Sequence, residues 1–140
     1  MEQEVNVCPK FWKDVKKSSC PEFNYDLAKA EFTELDDLSK IEAIPILQSI
    51  VTLIQNAIKD NELEHHSIKY GKQPFLQSGW IIRKMRWAIG NKGKSDGLRV
   101  LFCLNENKIL MVLIALKRDC AKEEDLEKEI MARIKDYICV

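Results

Sequence analysis

The chain has 140 residues, of which 46% are hydrophobic, and it carries 22 basic and 22 acidic side chains. This length and composition predict a single domain over residues 1–140 with a core of its own, and they exclude a disordered chain. No apolar run reaches the ~18 residues of a membrane span, and the N-terminus lacks the shape of a signal peptide. We therefore expect a cytoplasmic protein with no membrane partner.

The cysteines and histidines do not indicate a metal site. The five cysteines form no Cys-x-x-Cys pair, and there are only two histidines. Zinc sites need several such ligands at short spacings, so no metal and no cofactor are predicted. His65 and His66 are interpreted as part of a solvated turn, and the thiols as reduced.

The neutral total hides a separation of charge along the chain. Residues 22–64 contain ten acidic and three basic side chains, a net charge of −7, whereas residues 65–99 contain eight basic and one acidic, a net charge of +7. Such a split indicates a polyanion-binding surface beside an acidic flank. The alternative is that the two segments simply pair with each other on the surface.

The N-terminal half is predicted to be mainly helical. Alternation over Glu4–Cys8 predicts a first strand, and Pro9 suits the first position of a helix. A second helix, acidic on one side, is predicted over Tyr25–Leu38. Apolar residues recur at helical spacing over Ile44–Lys59, which is predicted to pack on a sheet. Asn61–Ser78 is interpreted as a polar connector.

The C-terminal half is predicted to form a β-meander and a last helix. Strand-like segments cover Trp80–Ala88, Leu98–Leu104 and Ile109–Leu116, and residues 105–107 have the composition of a hairpin turn. The third strand is apolar throughout, as in a strand covered on both faces. Lys122–Tyr137 is a predicted helix. The fold class is therefore α+β, with a small antiparallel sheet, made of the N-terminal strand and the meander, packed against helices.

Basic residues concentrate in this meander. The neighbours Arg83 and Lys84 should point to opposite faces of their strand, whereas Lys84 and Arg86 should share a face. If Arg99 lies on the paired strand, one register brings it together with Lys84 and Arg86. Because a buried, unpaired guanidinium is costly, we expect Arg99 to face solvent. Lys117 and Arg118 close the third strand, and because they should point to opposite sides, only one of them can join that face.

Several cations on one sheet face are suited to hold phosphates. They also suit phosphodiester cleavage, in which a base takes a proton from the 2′-hydroxyl, an acid protonates the departing 5′-oxygen, and cations neutralise charge on phosphorus. The alternative is that they are solvated charges at a sheet edge. The loop GNKGKSDG differs from the nucleotide-binding pattern GxxxxGKS and leads into a strand, so a nucleoside triphosphate site is excluded.

The segment IRKMRWAIGNKGKSDGLRVLF, followed by an apolar strand, a lysine and an acidic helix, resembles the RelE/ParE superfamily of type II toxins. It is most similar to the HigB-like/RelE-like branch, closely over Trp80–Leu126 and more loosely over VNVCPKFWKDVKK near the N-terminus. The resemblance implies a RelE-like fold with a helical insertion at about 18–43, and an antitoxin encoded beside the gene. It also implies metal-independent endoribonuclease activity on mRNA in the ribosomal A site, which inhibits translation.

The resemblance also implies site residues. Four cations match the family's catalytic positions: Lys84, Arg86, Arg99 and Lys117. Four others are expected to bind RNA: Arg83, Lys92, Lys94 and Arg118. Among them, Arg99 is expected to stabilise charge on the phosphorus and Lys84 to be the base.

The sequence departs from the family pattern at several positions. Asp96 replaces the second glycine of the family's KSGG, and Leu101 and Phe102 replace its strand tyrosines. No Tyr or His follows Lys117, so only Tyr137 could supply an aromatic group. These departures favour a second hypothesis, a non-catalytic binder such as a ParE-like DNA gyrase inhibitor or an inactive RelE-fold protein. A third is a structural protein without enzyme activity.

Overall fold

A computed structural model describes residues 3–18, 20, 23, 29–69, 79–89, 97–119 and 123–138. Its strands are β1 (Glu4–Val7), β2 (Ser67–Lys69), β3 (Ile81–Trp87), β4 (Leu98–Asn105) and β5 (Lys108–Leu116). Its helices are α1 (Pro9–Lys17), α2 (Lys29–Glu34), α3 (Asp37–Ala43), α4 (Pro45–Lys59), α5 (Leu63–His66) and α6 (Glu123–Ile138). The predicted α+β class is confirmed.

The strands form one sheet in the order β1-β5-β4-β3-β2. The meander β3-β4-β5 is antiparallel, as predicted, and β2 adds a short antiparallel edge. β1 pairs with β5 in parallel, so the sheet is mixed where an entirely antiparallel one was expected. These two strands are far apart in the sequence, and no hairpin fixes their relative direction.

The helices of the first half differ from the prediction at one point. The periodic segment predicted from Ile44 to Lys59 is α4, which begins at Pro45. The single helix predicted over Tyr25–Leu38 is wrong, because α2 ends at Glu34 and α3 begins at Asp37. Asp36 causes the restart, since its carboxylate accepts a hydrogen bond of 2.8 Å from the backbone N–H of Ser39. Residues 25–28 of the predicted helix lie outside the described part.

The sheet is covered on both faces. Helix α4 shares one core with the first face, where Ile50 and Ile54 lie in the same apolar cluster as Phe102. This confirms that α4 packs on the meander. On the second face, Ile130 and Ile134 of α6 belong to a separate apolar cluster. The strand residues of this cluster are Ile82, Leu101, Cys103, Leu110, Val112 and Leu113.

The acidic segment is joined to α1 through Trp12. The indole N–H of Trp12 donates to Asp37 at 2.9 Å, and its ring meets Phe32 edge-on at 5.9 Å between centroids. The ammonium of Lys40 lies 5.4 Å from the centre of the Trp12 ring. Phe32 and Ile41 are buried in the core of the first face. Helices α2 and α3 therefore contribute to that core.

A buried ion pair completes the hydrogen bonding of β5 where β1 ends. The last β1 pair is Val7 with Met111, and a bulge follows in which Val112 is an extra residue. Asp14 on α1 accepts from the backbone N–H of Ile114 at 3.2 Å, and Arg133 on α6 donates to the carbonyl of Val112 at 2.9 Å. The two side chains bind each other at 2.6 Å. They thus tie α1, β5 and α6 together.

No single helix among the described residues has the length and apolar character needed to cross a membrane. Helices α3 and α4 together have that length and composition, but the chain bends by 114° between them.

Candidate functional site

The register of β3 and β4 gathers three cations on one face of the sheet. Arg86 lies directly opposite Arg99, and Lys84 lies opposite Leu101, two positions along the same face. Directly opposite residues on one face have Cβ atoms about 5 Å apart. The predicted convergence of Lys84, Arg86 and Arg99 is therefore confirmed, and we call this group the cationic face.

Exposure differs sharply within the cationic face. Arg86 is exposed and Lys84 is half-buried, whereas only 7% of Arg99 is exposed. The prediction that Arg99 faces solvent is wrong. Its neighbours across and along the strands, Ala115 and Leu101, pack in the apolar cluster under α6. Arg99 thus lies at the edge of this cluster, on the same face as Lys84 and Arg86.

Arg83 points to the opposite face, as the alternation predicts. Its side chain is buried and donates to the hydroxyl of Ser67 at 2.6 Å and to the carbonyl of Ser67 at 3.1 Å. These bonds tie β3 to β2. We therefore leave Arg83, which the sequence placed among the RNA-binding residues, out of the candidate site.

The end of β5 brings a fourth cation near the cationic face. The backbone N–H of Lys117 donates to the carbonyl of Gly97 at 3.1 Å, two residues before Arg99. Lys117 itself is exposed. Gly97 is required here, because a Cβ atom would clash with the backbone carbonyl of Trp87. The remaining predicted residues, Lys92, Lys94 and the side chain of Arg118, lie outside the described part, as does Asp96.

The sequence did not reveal a groove beside this face. Its volume is about 320 Å³, and its lining includes Lys84 and Arg86 together with His65, His66 and the exposed Ile68. The segment predicted as a polar connector forms α5 and β2 here, so the two histidines end a helix and do not occupy a turn. One sequence signal was available, because His65 and His66 are the first two residues of the net positive segment 65–99.

Tyr137, the suggested source of the missing aromatic group, lies near the end of α6 and is 38% exposed. Burial raises the pKa of its hydroxyl, and Cys8, Asp37 and Glu4 raise it further. That its ring serves the candidate site stays a prediction.

A cavity of about 470 Å³ between α1, β5 and α6 has a different character. Two basic side chains line it, Lys17 and Arg133, against three acidic ones, Asp14, Asp119 and Glu129. This balance does not favour a polyanion. Nor do the described residues include a group of three His, Cys, Asp or Glu side chains placed to hold a metal ion.

The buried thiols under α6 are not suited to nucleophilic chemistry. Burial raises the pKa of Cys8 to about 11 and that of Cys103 further still. A thiol reacts as its thiolate, so both remain unreactive at neutral pH.

The cationic face is thus the described surface best suited to phosphate groups, since it combines two guanidinium groups with one ammonium group and has Lys117 nearby. No protein-family model, curated protein or solved structure matches this chain.

Proposed function

We propose that the protein is the toxin of a type II toxin–antitoxin system, a ribosome-dependent mRNA endonuclease of the RelE/ParE superfamily that acts in the cytoplasm. The observation that carries the proposal is the direct pairing of Arg86 with Arg99, with Lys84 on the same face. These residues match the family's catalytic positions. An antitoxin and mRNA in the ribosomal A site are the proposed partners.

The cationic face supplies the groups that RNA cleavage needs. Attack of a 2′-oxygen on the neighbouring phosphorus adds negative charge to the phosphoryl oxygens, and donors fixed in advance stabilise that charge. Arg99 lies within β4, flanked by paired residues on both sides, so its position is held rigidly. Exposed Arg86 and Lys117 are free to approach the backbone phosphates of a docked strand.

A second candidate function is a non-catalytic binder, such as a gyrase inhibitor. The low exposure of Arg99 favours it, because a buried guanidinium has less access to a phosphate. The missing strand tyrosines favour it too, since Leu101 and Phe102 stand in their place.

Cell-free translation distinguishes the two functions. The purified protein is added to a translation reaction with a reporter mRNA, and the mRNA is then sized. An endonuclease stops protein synthesis and leaves truncated mRNA. A gyrase inhibitor leaves translation intact and blocks DNA supercoiling in a parallel assay. Arg86→Ala is the test variant, and Lys108→Ala is its control, because Lys108 is an exposed cation at the far end of β5.

A further inference from the structure

Helix α5 places a histidine beside the cationic face. His66 and Arg86 together line the groove of about 320 Å³ described above. They also line a second groove of about 320 Å³, in which Leu53, Met85, Trp87 and Ala88 complete the wall. His66 is half-buried, whereas His65 is exposed. His66 therefore lines both grooves together with Arg86, whereas His65 lines only the first.

The position of His66 is fixed by the strand that follows it. Ser67 pairs with Met85, the neighbour of Arg86, in the antiparallel β2–β3 ladder, so His66, the last residue of α5, lies beside the end of that ladder. The hydroxyl of Ser67 donates to the carbonyl of Leu63 at 2.9 Å and accepts from Arg83 at 2.6 Å. These bonds anchor the end of α5 to the sheet. His66 is thus held next to Arg86, whose partner on β4 is Arg99.

We propose that His66 is the general base of the cleavage reaction, an inference that rests on the proposed endonuclease function. Its imidazole takes the proton from the 2′-hydroxyl of the nucleotide bound over the cationic face. Lys84, which the sequence favours as the base, instead holds a phosphate oxygen.

The bond changes balance without any further reactant. As His66 accepts the 2′-proton, the 2′-oxygen bonds to phosphorus, and the bond from phosphorus to the 5′-oxygen breaks. The departing 5′-oxygen takes a proton from water, and the imidazolium later returns its proton to solvent. The products are a 2′,3′-cyclic phosphate and a 5′-hydroxyl.

Chemistry favours the imidazole over the ammonium for this role. A neutral imidazole accepts a proton at neutral pH, whereas a lysine must first lose one. The charged groups around His66 are Glu64 and His65 on α5 and Lys84 and Arg86 on β3.

The test measures cleavage of a reporter mRNA on purified ribosomes by the purified full chain. His66→Ala should cleave about 10²- to 10⁴-fold more slowly, with unchanged ribosome binding. Added imidazole should restore a large part of the rate, which a purely structural role would not allow. The acidic limb of the pH–rate profile should disappear in His66→Gln. The matched control His65→Ala should stay within a few-fold of the parent. Lys84→Arg should keep much more of the rate than His66→Ala, because it preserves the cation.

The outcomes separate the two proposals. If the parent cleaves, and His66→Ala and His66→Gln cleave within a few-fold of it, the role of His66 is overturned while the endonuclease function stands. The same holds if Lys84→Arg abolishes cleavage and imidazole rescues nothing. If the parent leaves the mRNA whole, both proposals are overturned together.

Discussion

Arg86 and Arg99 are direct partners across β3 and β4, yet one is exposed and the other is only 7% exposed. Like charges placed directly opposite each other disfavour a sheet. Under the proposed function, the pair serves as part of an anion site. Ribosome-bound RNA is the polyanion that we propose for it.

Replacing Arg99 should mainly affect the chemical step. Arg99→Ala should lower cleavage on ribosomes by about 10²- to 10³-fold, because one fixed stabiliser of phosphoryl charge is lost. Ribosome binding should change little, since Arg99 offers almost no surface. Arg99→Lys should recover only part of the rate, because an ammonium lacks the planar fork of a guanidinium. Thermal melting of each variant controls for loss of fold, and cleavage by Arg99→Ala within a few-fold of the parent rules out the role.

Replacing Arg86 should mainly affect binding. Its exposed guanidinium is placed to contact a backbone phosphate, and each such contact releases counterions from the nucleic acid. Arg86→Ala should therefore weaken RNA binding, and the slope of log affinity against log salt should fall by about 1. Lys69→Ala is the control, because Lys69 is exposed and paired with Arg83, on the opposite face. Equal slopes for Arg86→Ala and the parent would place Arg86 outside the interface.

Breaking the buried ion pair should destabilise the fold. Asp14→Ala removes the partner of Arg133 and the acceptor for the backbone N–H of Ile114. Leaving a buried charge uncompensated costs about 3–5 kcal/mol, which denaturant unfolding would measure. Glu129→Ala is the control, since its carboxylate pairs with the same arginine but is 41% exposed. Glu129→Ala should lower the free energy of unfolding by no more than about 0.5 kcal/mol. Equal effects of the two substitutions would contradict the assignment of Asp14 as the main partner of Arg133.

The core under α4 gives a second test of the fold. Ile50→Asp or Ile54→Asp should unfold the protein, because each buries an unpaired carboxylate in the shared core. Ile68→Asp should be tolerated, since that side chain is 64% exposed. Circular dichroism melts of the three variants suffice. If Ile50→Asp melted like the parent, the packing of α4 on the sheet would be wrong.

Periodicity explains which parts of the fold were predictable. The alternation that separates Arg83 from Lys84, and the long apolar stripe of α4, persist over enough residues to indicate one structure. The three residues of β2 and the four of α5 are too short and too polar for such a signal. Their places are set by tertiary bonds, chiefly those between Ser67 and Arg83. The division of the segment around Asp36 into two helices depends on one side-chain cap, the hydrogen bond from the backbone N–H of Ser39 to the carboxylate of Asp36.

The sequence predicted which residues share the cationic face, but it did not predict what packs around them. The spacing of Lys84 and Arg86 and the position of Arg99 were enough to predict the shared face. The burial of Arg99 depends on tertiary packing around the sheet, which the sequence of β4 does not determine. The nearness of His66 depends on the register of β2, a strand that the sequence did not predict.

The most direct test is to map the ends of mRNA fragments after the purified protein acts on ribosomes stalled at a defined codon. We expect fragments that end within the A-site codon, produced by the parent and by Lys108→Ala. They should be absent when ribosomes are omitted, and strongly reduced with Arg99→Ala. Intact mRNA with the parent protein, on ribosomes that it demonstrably binds, would contradict the endonuclease function and leave the cationic face as a binding surface alone.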